Sequence, residues 1–291
     1  MITEAARMKL LVIVVGLVAA AAAESPPIFQ DYHEEIGIPA ANRIKLLEES
    51  IDFDGSRIAG GQPSQLGSHP HLGGLLITLT NDIISICGSS LLSNTKAVTA
   101  AHCWRHMSHQ ARSFTVVLGS TRLFTGGHRT DTSNVITHDN YNMFNLNNDV
   151  AVITLSHVPY TNHIRNIALA TGSSLYVGVW ASAAGFGAHG DNVLVTETQA
   201  KHEVILQVTT NAICARTFGN YVVAPSTICV VTSNGRSTCG GDSGGPLIVS
   251  PEGSPILIGI TSFGHRDGCQ RGYPAGFARV TAFESWIRSN L

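Results

Sequence analysis

Residues 237–247 of this 291-residue chain read Ser-Thr-Cys-Gly-Gly-Asp-Ser-Gly-Gly-Pro-Leu. Ser243 is flanked by Gly240, Gly241, Gly244 and Gly245 and follows an acid, Asp242. Glycine lets backbone approach backbone and enters conformations closed to other residues, so this stretch can aim the N–H groups of Gly241 and Ser243 at one point. Two converging N–H donors stabilise an oxyanion. A serine hydroxyl attacks a carbonyl only when a base removes its proton, so the reading demands a histidine and a group to orient it. For this stretch alone, a glycine-rich turn carrying an incidental serine is the alternative.

Two other segments supply the missing groups. Thr99-Ala100-Ala101-His102-Cys103 places a histidine among small residues at the end of a strand-like run. Asn148-Asp149-Val150-Ala151-Val152-Ile153 places an acid at the mouth of an apolar strand. Alone, His102 could be a satisfied core histidine and Asp149 a turn cap. Together the three segments resemble the chymotrypsin-like serine peptidases, in the chain order His, Asp, Ser. The resemblance runs from 58 to 291 and is similar to the secreted digestive chymotrypsins of insects and other invertebrates. It implies catalysis by His102, Asp149 and Ser243 through an acyl-enzyme, with an oxyanion hole at the N–H groups of Gly241 and Ser243. It also implies an all-β fold of two antiparallel six-stranded β-barrels, about 58–165 and 166–291, with the active site between them and a short C-terminal helix.

The residues by themselves already suggest a β body. Short apolar or alternating runs, "LGGLLITL", "ISICGSSLL", "SFTVVLG", "DVAVITL", "VGVWASAAG", "HEVILQV" and "PILIGITSF", are punctuated by Gly, Asn and Pro, the pattern of sandwiches and barrels. Only "VTAFESWIRSN" puts Val280, Phe283, Trp286 and Ile287 on one helical face. The segment 157–174 reads as a connection between the two halves.

Apolar residues make up 44% of the chain and charged residues 13%, against about 25% charged in ordinary soluble domains. A formal net charge of −2 and the lack of any Lys/Arg run argue against a nucleic-acid partner. Arg7 and Lys9 precede an apolar stretch from Leu10 to Ala23. That stretch is shorter than the ~20 residues of a membrane span, and 1–23 reads as a secretory signal peptide. No later run would anchor the chain in a membrane. The expectation is a secreted monomer, extracellular and in a gut lumen by resemblance. In that compartment the six cysteines favour disulfides, and six allow fifteen pairings that spacing does not resolve. The resemblance implies Cys87–Cys103, Cys214–Cys229 and Cys239–Cys269.

Residues 24–57 differ from the rest, with eight acidic residues against three basic and no cysteine, whereas 58–291 holds eleven acidic, thirteen basic and all six cysteines. This segment reads as a detachable activation propeptide. The resemblance implies cleavage between Arg57 and Ile58 by a trypsin-like protease, after which the Ile58 amine pairs with Asp242 and orders the oxyanion site. A buried carboxylate is costly without a partner. The uncut precursor should be inert, and no disulfide would retain the leader after cleavage.

By resemblance the specificity pocket is formed by Ser237, Thr238, Ser262, Phe263, Gly264 and Ala275. Ser237 at the floor offers no carboxylate to a basic side chain, and Gly264 leaves the slot open. This favours peptide bonds after large apolar or aromatic residues. Thr238 and Ala275 could shorten the slot, so an elastase-like preference for small residues is the alternative, and a non-catalytic binding homologue a remote one. Protein and peptide substrates and protein protease inhibitors are the partners implied. No cofactor or metal is expected: Gly185-Phe186-Gly187-Ala188-His189-Gly190 matches a dinucleotide fingerprint but precedes a strand-like run where a helix is needed, His102, His106 and His109 come with no H-E-x-x-H motif and no carboxylate near them in the sequence, and the loop around Asp131 has too few acids for calcium. The mature part has two lysines against eleven arginines, which suggests work at alkaline pH, where lysine alone discharges.

Overall fold

The computed structural model of the chain describes residues 26–50, 62, 63, 65–188, 190, 191, 201–232 and 234–291. The signal segment 1–23 and the pair Arg57 and Ile58 lie outside the described residues.

The first half is built from strands β1 (Leu72–Leu79), β2 (Ile84–Leu91), β3 (Lys96–Thr99), β4 (His109–Leu118), β5 (His128–Thr132), β6 (Val135–Thr137) and β7 (Ala151–Thr154). They form one antiparallel, barrel-like sheet in the order β4–β1–β2–β3–β7–β6, with β5 added to β4. Its inner face carries Leu75, Ile77, Phe114 and Val116, all without exposed surface. Each such side chain contributes roughly 1.5–3 kcal/mol by leaving water.

The second half has β8 (Trp180–Gly185), β9 (His202–Thr209), β10 (Thr227–Val231), β11 (Pro246–Val249), β12 (Ile256–Phe263) and β13 (Ala275–Arg279). These run β9–β8–β11–β12–β13–β10, and β10 pairs back onto β9, which closes the ring. Closure removes the exposed edges that would otherwise seek another strand. Between the halves, Ala168–Leu169 is laid parallel to β12. Gln62–Pro63 pairs with β9 of the second half. The chain therefore enters the body on the side where Asp242 lies, before crossing to build the first half.

Three helices complete the fold, α1 (Ile38–Ser50), α2 (Asn211–Val222) and α3 (Val280–Ser289). Helix α3 is the expected closing helix and buries Val280, Phe283 and Ile287. Helix α2 starts at Thr210, whose hydroxyl accepts the Ile213 N–H at 3.3 Å, an N-cap contact. Its buried Cys214, Phe218 and Val222 recur every four residues, so one stripe faces the barrel. Helix α1 and the π-helical turn His33–Gly37 before it belong to the leader, and they lie across the junction of the halves.

Candidate active site

Strand register decides which side chains meet. Thr99 of β3 pairs antiparallel with Ala151 of β7, so the residues just past Thr99 and just before Ala151 emerge at the same end. His102 and Asp149 occupy those places. His102 sits in a 3-10 turn, Ala101–Cys103, tied to β2 by the Cys87–Cys103 disulfide. Asn148, with φ 57°, turns the chain so that Asp149 points inward; asparagine tolerates that left-handed conformation better than most residues.

Asp149 grips His102 twice. One carboxylate oxygen accepts the His102 backbone N–H at 2.9 Å and the other faces Nδ1 at 2.7 Å. The second oxygen also accepts the Ser262 hydroxyl at 2.5 Å. Burial alone would push the Asp149 carboxyl up, but the His102 charge and these donors hold it below the usual carboxylate range. Asp149 is therefore an anion in a dry pocket, which fixes the proton of His102 on Nδ1 and leaves Nε2 as the basic nitrogen.

Ser243 arrives from the second half. Pro246 of β11 pairs with Ile260 of β12, and this register carries Ser243 and Ser262 to a common end. The glycines then explain themselves. The Gly88 N–H of β2 donates to the Ser243 carbonyl at 2.6 Å, and a Cβ on Gly88 would stand 2.9 Å from the Gly245 Cα. Gly244, at φ 79°, lies against Thr99 Oγ1 and the Gly88 carbonyl, leaving no room for a side chain. Gly241, at φ 103°, packs 2.9 Å, measured from its would-be Cβ, from the Gly187 Cα. Among the described residues, neither the Gly241 nor the Ser243 N–H donates to another protein group.

Asp242 is buried beneath this loop. Its carboxylate accepts the Gly187 N–H at 2.9 Å and the Cys239 N–H at 3.0 Å, and it lies 3.4 Å from His202 Nε2. Burial opposes its ionisation, yet the His202 charge and hydrogen bond together with the two amides hold it below the carboxylate range. The Gly-x-Gly motif at 185–187 serves this acid: a side chain at either glycine would strike the Asp242 carboxyl. Strand β8 ends at Gly185, and the described residues that follow it, 186–188, 190 and 191, are not helical; His189 lies outside the described residues.

The cleft between the halves has a volume of about 370 Å³. Ser237, Thr238, Ser262, Phe263 and Gly264 all line it. Ala275 does not; it is buried in β13 opposite Val230, and its neighbours Tyr273 and Pro274 reach the cleft instead. The Cys214–Cys229 and Cys239–Cys269 disulfides are present, the latter joining two walls of the cleft. Asp191 also lines it, with its carboxylate accepting the N–H groups of Cys269 at 2.8 Å and Gln270 at 3.0 Å. The three histidines at 102, 106 and 109 take separate partners: Asp149, the Met143 carbonyl and Asp31.

Phe29, Tyr32, Ile36, Pro39, Ala40 and Arg43 also line this cleft, a placement that no local feature of their sequence marks. Tyr32 is buried, its hydroxyl donating to the Ile86 carbonyl at 2.8 Å and its N–H to His106 Nδ1 at 2.9 Å. Its ring lies 4.6 Å from that of His102, and the Ser243 hydroxyl lies beside its phenol oxygen. Among the described residues His102 Nε2 has no hydrogen-bond partner. The His–Ser contact is thus unmade in this structure, where the Tyr32 ring lies against His102.

Two barrel-like halves meeting at Ser243, His102 and Asp149 define a serine peptidase of the two-barrel class. The chain belongs to the trypsin family, whose pattern matches residues 58–287. It is 38% identical over 242 residues to the collagenase of Hypoderma lineatum, covering 80% of this chain and 87% of that protein. It is 35% identical over 249 residues to serine protease 1 of Drosophila melanogaster, covering 84% and 90%. Brachyurin of Leptuca pugilator is 35% identical over 241 residues, covering 80% and 97%. A solved structure described as HL collagenase superposes with a TM-score of 0.73 at 36% identity, covering 80% of this chain and 98% of that one.

Proposed function

We propose that the chain is the precursor of a secreted endopeptidase that is activated by cleavage at Arg57–Ile58 and cuts after large apolar or aromatic residues. The observation that carries this reading is the double grip of Asp149 on His102, set at the same cleft as Ser243. His102 Nε2 takes the proton of the Ser243 hydroxyl as its oxygen attacks the scissile carbonyl. The N–H groups of Gly241 and Ser243 receive the oxyanion. His102 returns the proton to the leaving amine, and water, deprotonated by the same nitrogen, releases the acyl group and restores the hydroxyl. Asp149 stays ionised throughout and balances the imidazolium.

The substrate preference follows from the cleft. Of its carboxylates, Asp191 is committed to two backbone amides and Glu35 belongs to the leader, where it caps the N–H groups of Gln30 and Asp31. Phe263 and Tyr273 give the slot apolar walls. The family match begins at residue 58, which agrees with a leader that ends at Arg57, and three disulfides suit an oxidising compartment. A trypsin-like activator, protein inhibitors and a monomeric state in a gut lumen complete the proposal.

Cleavage-site profiling of the activated protein on a peptide library tests it, together with labelling by a fluorophosphonate. Cuts after Phe, Tyr or Leu and labelling at Ser243 are expected. Cuts after Lys or Arg would overturn the pocket assignment, and a processed protein that takes no label would overturn the catalytic one.

A further inference from the structure

The uncut leader is held by contacts that owe nothing to the bond at 57–58. Pro27 offers its carbonyl to the Arg266 N–H at 3.0 Å. Ile28, with 1% of its surface exposed, is buried among Leu146, Phe218 and Phe263. Asp31 pairs with His109 Nδ1 at 2.8 Å and accepts the Ser108 hydroxyl at 3.1 Å. His33 has no exposed surface, and its Nδ1 lies 2.9 Å from Ser85 Oγ. Ala40, Ala41 and Ile44 of α1 pack with Ile86, Val117 and Leu123. Glu48 accepts the N–H groups of Leu123 at 2.6 Å and Phe124 at 3.0 Å and the Thr125 hydroxyl at 3.0 Å.

These anchors run from residue 27 to residue 48, so the last stands nine positions before Arg57. They bridge both halves, and Tyr32 sits between them on His102 and Ser243. A surface that buries an aromatic anchor among apolar packing and several hydrogen bonds has the anatomy of a strong binding site. Cutting the chain at Arg57 removes the covalent tether and none of these contacts. What it changes is concentration: an intramolecular partner becomes an intermolecular one.

We propose that the excised leader, residues 24–57, is a cleft-directed inhibitor of the mature protein in its own right. Cleavage at Arg57 then yields a complex of two chains, and activity appears only when the leader dissociates or is itself degraded. This inference rests on the proposed peptidase reading and extends it to a second, non-covalent step of activation.

The test uses the full chain with residues 53–57 replaced by an enteropeptidase recognition sequence, since a trypsin-like cut would also sever the leader after Arg43 or Lys45. Mass spectrometry reports completion of the cut, and a chromogenic Phe substrate reports activity. The expected result is a fully cut protein with under about a tenth of its final activity at micromolar concentration, recovering on dilution, with the leader co-eluting on size exclusion. Tyr32→Ala in the leader should give immediate activity. Should that variant fail to fold, a synthetic peptide of residues 24–57 added to diluted, active wild-type protein provides the same readout, with at least about tenfold weaker inhibition by the Tyr32→Ala peptide. Full activity that tracks the cut, unaffected by dilution or by added peptide, would overturn the inference. A fully cut, diluted protein that neither hydrolyses nor binds fluorophosphonate would instead overturn the peptidase reading.

Discussion

In the uncut chain Asp242 lies 3.4 Å from His202 Nε2, so the acid beside the nucleophile already has a partner before any new terminus exists. Both residues are almost fully buried. The structure thus avoids an unpaired internal carboxylate. On the proposed activation, His202 and the Ile58 amine would compete for this one acid. Removing the imidazole by His202→Ala should destabilise the uncut chain by roughly 1–3 kcal/mol, the cost of losing a charged hydrogen bond while two amides remain. The activated form, in which Ile58 takes over, should lose less. Thermal melts of both forms check this; equal losses would place His202 in the mature structure as well.

Ser262 enters the sequence reading as a pocket residue, but its hydroxyl donates to Asp149. It is a positioning residue for the Asp149–His102 pair. Ser262→Ala should lower kcat by about ten- to hundredfold, the worth of a charge-assisted hydrogen bond, with KM little changed. The Asp149 pKa should rise, so the acid limb of the kcat profile should move to higher pH. A variant that changes KM alone would return Ser262 to a purely substrate-binding role.

Gly264 faces open space, with no atom within 4 Å of a Cβ built on it. Gly264→Val should therefore fold normally while narrowing the slot. Hydrolysis after Phe should fall by about a hundredfold or more relative to hydrolysis after Ala, since pocket discrimination of this size is ordinary for apolar sites. The ratio of kcat/KM on matched Phe and Ala substrates measures it.

Acid should loosen the leader. Burial, with the neighbouring His102 and His106, pushes His33 from 6.5 down to about 3 despite the opposing pull of Asp31. Burial likewise pushes His106, against the Tyr32 N–H, to about 4. A base with a depressed folded pKa gives a contribution that is whole above its free value and is lost as pH falls from 6.5 toward the depressed value. Leader affinity should fall by about tenfold or more between pH 7.5 and pH 5. Peptide inhibition measured across that range decides it, and tighter binding in acid would refute the assignment.

Much of the body was legible because its signals are local. "LGGLLITL" is strand Leu72–Leu79 residue for residue, and "VTAFESWIRSN" yields helix Val280–Ser289. The serine, histidine and aspartate were legible because their glycine, alanine and asparagine neighbours meet backbone constraints that act within a few positions. Helix Asn211–Val222 is not legible although Cys214, Phe218 and Val222 recur every four residues, because Gly219, at φ 75°, interrupts a weak stripe. His202 carried no local mark, since its partner lies forty residues away. Ala275 is a pocket residue only by resemblance, and the chain there reaches the cleft with Tyr273 and Pro274. Segment 24–57 stands out in the sequence by its acidic balance and lack of cysteine, neither of which speaks to its fold. Its buried Ala40, Ile44 and Leu47 do recur at helical spacing, but nothing in that spacing names the surface they meet.

The hydrogen bond from Gly88 to the Ser243 carbonyl joins strand Ile84–Leu91 to a loop more than 150 positions later in the chain. The reacting groups thus straddle a seam, with His102 and Asp149 on one side and Ser243 on the other. During synthesis the first side can form its own sheet well before the other emerges, yet it remains chemically mute until the seam shuts. Competence is a late, all-or-none property of folding here, and a truncated translation product, however well collapsed, poses no proteolytic hazard to the cell that makes it.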